Sequence, residues 1–180
     1  TTVYAKEAVG GDGPHKDVMA FRVETRKGDN GNDKTESWQL PLAENPQRVV
    51  RYRELAYSPS TGMPENEDYW DPYKIHIDGS PDKISKGQWP EEYTEFKKPT
   101  GGAVSSGGRI DLWKVINADE SVNVNGKTFE HSIHFMKTGN SDPDSVKEYW
   151  YVRGIGKVRE AGSSQTEELI SYTVGGKKGP

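Results

Sequence analysis

The stretch Val122-Asn-Val-Asn-Gly-Lys-Thr-Phe-Glu-His-Ser-Ile-His-Phe-Met136 decides the fold. Val122 and Val124 alternate with polar neighbours up to Asn125-Gly126. That dipeptide is the strongest short signal for a two-residue hairpin turn, because both central residues of such a turn need positive φ. Beyond it, Phe129, Ile133 and Phe135 fall on one face of a second strand at a period of two. Working outward, Arg109 to Ile116 reads as the strand before, with Ile110, Leu112 and either Trp113 or Val115 to bury. Val146 to Val152 reads as the strand after, closed by a tight bend at Gly154-Ile-Gly156. Lys157 to Glu160 and Glu168 to Val174 complete the series, and residues 175–180 read as a flexible tail.

The rest of the chain repeats the pattern. Thr2 to Val9 is a first strand or arm within residues 1–16. Asp17 to Thr25 places Met19, Phe21 and Val23 on one face. Lys34 to Leu40 carries Trp38 and Leu40, and Gln47 to Tyr57 sets Val50 and Tyr52 against Arg51 and Arg53. Tyr69 to Asp78 turns Tyr73, Ile75 and Ile77 inward and Lys74, His76 and Asp78 outward, with Pro72 marking an edge or a bulge. Gln88 to Lys97 places Trp89, Glu91, Tyr93 and Glu95 together. Turn-rich connections separate these runs, including 58–67, 79–87, 99–108 and 140–145. About ten short strands with turn signals between them predict an all-β, antiparallel meander with little or no helix, forming a sandwich or a curved half-open barrel as a single domain over 1–180. The one rival helix is Ser164 to Tyr172, where Ser164 and Glu167 fit a capping box.

Composition agrees. Leu, Ile, Val and Phe number only 31 of 180 residues, a fraction at which disorder becomes a live alternative. A formal net charge of -4 and 10% aromatics, with five Trp and nine Tyr, argue for folding instead. Scarce Leu and Ala exclude a helical bundle or coiled coil. The absence of cysteine excludes a disulfide framework, a zinc–thiolate site and a cysteine nucleophile. A pI near 5.6 with mixed charge gives no basic stripe for nucleic acid. The longest apolar or aromatic run, Tyr149 to Val152, is far short of a membrane span. The chain opens on Thr1 without a signal-like segment and reads as processed or trimmed.

The block Glu148-Tyr-Trp-Tyr-Val-Arg-Gly-Ile-Gly-Lys-Val-Arg-Glu160, followed by Gln165-Thr-Glu-Glu-Leu-Ile-Ser-Tyr172, resembles the C-terminal motif of exported bacterial β-rich proteins, many of them lipoproteins. Val122-Asn-Val-Asn-Gly-Lys-Thr-Phe129 is similar to the hairpin those proteins carry upstream, and Tyr69-Trp-Asp-Pro-Tyr-Lys74 fits loosely. The match covers Val122 to Tyr172. It implies an exported, periplasmic, outer-surface or extracellular protein and carries no activity. The anchoring cysteine of such lipoproteins has no counterpart in this sequence.

Candidate chemistry is sparse. Gly126-Lys127-Thr128 ends like a phosphate loop, but Ser121 stands where that loop needs its first glycine. His131 and His134 point to opposite faces of a strand unless a bulge intervenes. Adjacent carboxylates, Glu91-Glu92 and Glu167-Glu168, likewise diverge, and no Gly-x-Ser-x-Gly elbow occurs. Calcium is a candidate ligand at Asp29 and Asp33, or at Asn140, Asp142 and Asp144; no other cofactor is expected. Trp70, with Asp71 and Tyr73, is the candidate ligand-binding surface, the other tryptophans being needed for a core. The resulting expectation is a non-enzymatic exported envelope or extracellular protein acting by binding or self-assembly. Its partners would be copies of itself or another envelope protein. One alternative is a filament subunit that exchanges its first strand, with Thr2, Val3, Tyr4 and Ala5 adding to a neighbour's sheet edge. Another is a lipocalin-like carrier of a small ligand.

Overall fold

A computed structural model describes residues 1–26, 32–139, 142–163, 166–174 and 177–179. The strands are β1 (Thr2–Ala8), β2 (Met19–Arg26), β3 (Lys34–Leu42), β4 (Asn45–Tyr57), β5 (Pro64–Asp78), β6 (Gln88–Pro99), β7 (Ser105–Val124), β8 (Lys127–Gly139), β9 (Asp142–Val152), β10 (Gly156–Gly162), β11 (Thr166–Glu168), β12 (Tyr172–Val174) and β13 (Lys177–Gly179). A short helix, α1 (Pro81–Lys86), lies before β6. Strands β1 to β11 are neighbours in chain order, the antiparallel meander that period-two alternation requires, and β12 pairs with β13. The chain falls into two compact units. One comprises residues 1–80 and 92–109, and the other 81–91 and 110–180.

In the first unit the core is Val9, Ala20, Trp38, Leu42, Val50 and Tyr52. β1 pairs with β2 of its own chain, Val3 opposite Val23 and Ala8 opposite Met19. Thr2, Val3, Tyr4 and Ala5, the residues expected to exchange, lie on this strand. Between them and β5 the chain passes close to Tyr69. A Cβ added at Gly13 would sit 2.3 Å from the Tyr69 ring, and the Asp12 amide donates to the Tyr69 hydroxyl at 2.9 Å. Pro72 lies where the pairing of β4 and β5 shifts register, with Arg51 opposite Lys74 but Arg53 opposite Tyr69. That is the bulge its missing N–H favours.

The second unit buries both faces of β9 at Tyr149, Trp150 and Tyr151, because successive side chains of a strand alternate. Trp150 packs with Val122, Val124, Phe129 and Val158 on one side. Tyr149 and Tyr151 join an aromatic stack on the other. There Trp89 and Trp113 lie parallel, 6.1 Å apart, and Phe135 meets both edge-on at 6.1 and 6.0 Å. Asn125 and Gly126 both take positive φ, 50° and 76°, as the hairpin demands.

Several expectations are corrected. Met19 is exposed while Ala20 beside it is buried. Asp78 points inward, fully buried, because Arg48 donates to it at 2.7 Å and the Ser80 amide at 3.2 Å. Residues 81–86 form α1 where only turns were expected. Of residues 164–172, Thr166–Glu168 is strand, since its backbone pairs with β10 and the Leu169 amide reaches the Val158 carbonyl; Ser164 and Gln165 lie outside the described residues. The tail carries β13, paired with β12. On β7 the stack with Trp89 and Phe135 claims Trp113, so Ile110 and Leu112 turn outward.

Candidate functional site

Trp70 is a core residue and offers no open face to a ligand: it is 2% exposed. Its indole donates to Glu95 at 3.4 Å, with Arg51 and Lys74 over its ring. Asp71 is exposed and bonds His15 at 2.9 Å, while Tyr73 packs edge-on against Tyr52. The three candidates are thus not one surface. The groups gathered beside Trp70 are charged instead. In one cross-strand row Glu54 stands opposite Asp68, and Asp68 opposite Lys97. Burial first, together with the Glu95 and Glu54 carboxylates, pushes Asp68 up to about 6 against the pull of Lys97 and Lys74. Burial also works to raise Glu95, but Lys74, Arg109 at 2.9 Å, Lys97 and the Trp70 indole hold it below its ordinary value.

The calcium candidates fall partly outside the described residues. Asp29 and Asn140 lie outside the described residues. Asp33 stands at the head of β3, and Asp142 and Asp144 lie on β9, a strand where a turn was expected. Among the described residues no group of three or more His, Asp or Glu is arranged to hold a metal ion.

In the second unit, the two histidines part company. A bulge does form at His131, whose φ is 57°, but its exposed ring pairs with Asp119 at 2.8 Å. His134 is buried and stacks on Trp150 at 4.1 Å, with Nδ1 3.3 Å from Glu120 and Nε2 3.2 Å from Glu148. Trp150 donates to the same Glu120 at 2.6 Å. Lys127, Thr128, Phe129 and Tyr172 line a shallow open cleft of about 330 Å³. Lys127 and Thr128 start β8 directly after the hairpin turn, so the helix that a phosphate loop requires does not follow them. Burial would raise Glu160, yet Lys157 and Lys147, the latter at 2.9 Å, pull it down to about 2.

What stands open is the outer face of β7. Ile110, Leu112 and Ile116 are 44, 43 and 44% exposed, and Lys114 sits among them. The pairing extends this face across β8 and β9 in two rows. One runs Leu112, Thr138, Val146; the next runs Lys114, Met136, Glu148. Sequence reasoning missed it because Arg109 to Ile116 is apolar on both faces, with Ile110, Leu112 and Ile116 on one and Trp113 and Val115 on the other. That two-sided pattern is the signal that could have found it.

No family model matches the chain, and no curated protein and no solved structure matches it.

Proposed function

We propose that the chain is a non-enzymatic, exported protein of the bacterial envelope or extracellular matrix that acts by binding or self-assembly, and that the outer face of β7 makes the contact. The observation that carries this reading is the row Ile110, Leu112 and Ile116, three aliphatic side chains lying open in a chain short of aliphatics. A protein that can spare so few such residues for its interior leaves three on one strand face at a cost, and contiguous exposed apolar surface marks interaction sites. Export is supported by the resemblance of Val122 to Tyr172 to exported β-rich proteins.

The test has two arms run on the same preparation: mass by light scattering over a wide concentration range, and co-sedimentation with isolated bacterial envelope fragments. The wild-type chain is expected to associate in at least one arm. Leu112→Asp, at a residue open to solvent and therefore folding normally by circular dichroism, is expected to associate in neither. A wild-type chain that stays monomeric and stays in the supernatant overturns the reading.

A further inference from the structure

We infer that the outer face of β7, β8 and β9 docks onto the same face of a second copy of this chain, about a two-fold axis running along β8 through Met136. The inference rests on the reading of that face as a binding surface and names its partner. The argument is self-complementarity. Neighbouring strands lie about 4.8 Å apart, so Lys114 and Glu148 stand at similar distances on either side of Met136 in one cross-strand row. A two-fold axis along β8 exchanges the two sides. It brings Lys114 of each copy over Glu148 of the other and sets Met136 against Met136. In the neighbouring row it carries Leu112 of each copy onto Val146 of the other.

Both charges are available. Lys114 is exposed and forms no ion pair among the described residues. Glu148 is 40% exposed and uses one oxygen toward His134. A closed two-fold contact uses one patch twice, which is the commonest way a soluble chain associates. Ile110 and Ile116 flank the rows on β7. With this few side chains per copy the interface falls at the small end of specific contacts, so dimerisation in the micromolar range is expected.

Charge reversal tests it by sedimentation velocity. Lys114→Glu sets two carboxylates against each other at both ends of the row, and Glu148→Lys sets two ammonium groups against each other there. Each variant alone is expected to dimerise about tenfold more weakly or worse. Mixed in equal amounts, the two variants form a heterodimer in which the row is wholly acidic on one copy and wholly basic on the other, so both facing pairs are again opposite in sign and dimerisation is expected to return. No purely structural effect of either substitution produces recovery on mixing. The inference is overturned if the wild-type chain is monomeric at all concentrations, if Lys114→Glu dimerises like wild type, or if the mixture stays monomeric. Should Glu148→Lys fail to fold, loss of the dimer in Lys114→Glu, at an exposed position, together with its loss in Leu112→Asp decides the matter; retention in either overturns the inference. A monomer that still sediments with envelopes refutes this docking and leaves the proposed function standing.

Discussion

Trp113 and Trp89 form a matched pair in which one hydrogen bond is the main difference. The rings are parallel, both meet Phe135 edge-on at about the same distance, and each has a lysine over its face, Lys137 at 5.3 Å and Lys83 at 5.7 Å. The Trp113 indole donates to the buried Glu91 carboxylate at 2.8 Å. The Trp89 indole N–H is buried and has no partner among the described residues. Replacing either ring by phenylalanine removes similar area and leaves a similar void. Trp113→Phe also removes a hydrogen bond to a charged group, worth about 1.5–3 kcal/mol. Trp89→Phe instead removes an orphaned donor whose burial costs about 1–3 kcal/mol. Trp113→Phe should therefore be less stable than Trp89→Phe by about 3 kcal/mol. The assay is urea unfolding followed by far-ultraviolet circular dichroism, since tryptophan fluorescence would change with the substitution itself. Equal stabilities, or a less stable Trp89→Phe, would refute the idea that indole–carboxylate bonds hold this core.

Three further outcomes follow from the charges and from one close approach. Glu160 is held at about 2 against an ordinary 4.5. A depressed carboxyl stabilises the fold above its unfolded value and loses that contribution as pH falls from 4.5 toward 2, at most about 3 kcal/mol; Glu160→Gln should flatten that acid limb in melting temperature against pH. Asp68 has the opposite sign. Raised from 3.8 to about 6, it favours the fold at low pH and withdraws that support as pH rises through about 6. Asp68→Asn should therefore stabilise the protein at neutral pH, by up to about 2 kcal/mol after solvent screening, and leave stability at about pH 3 nearly unchanged by the same melts. Gly13→Ala forces a methyl against the Tyr69 ring and should lower stability by about 1–3 kcal/mol in urea titrations; an unaffected midpoint would mean the two segments do not pack this closely.

What was legible in the sequence was local, and what was not depended on partners distant in sequence. Asn125-Gly126 specifies its turn through its own backbone preferences, and the alternation of Trp89, Glu91, Tyr93 and Glu95 correctly assigned one face. That the two glutamates on that face are buried was not legible, because it depends on indole and guanidinium groups supplied from Trp113, Trp70 and Arg109. Asp78 was placed outside for the same reason, its burial being set by Arg48 on a neighbouring strand. On β7 either face could have been buried, and the buried one is the face whose Trp113 completes the stack with Trp89 and Phe135.

These cases share a cause in the composition. A chain that replaces leucine with tryptophan brings an N–H donor inside with each ring, and a buried donor needs an acceptor. Trp38 bonds Glu7, Trp70 Glu95, Trp113 Glu91 and Trp150 Glu120. A share of the acidic residues therefore serves the interior, and their own charge is in turn met by Arg109, and by Arg22 at Glu7. The high charged fraction and the low aliphatic fraction are then one design: aromatic rings supply the area, and carboxylates supply what the rings' polar edges require. The row Ile110, Leu112 and Ile116 stands outside that design, since it is aliphatic and exposed on one strand face, and this is the reason to look beyond the monomer for what covers it.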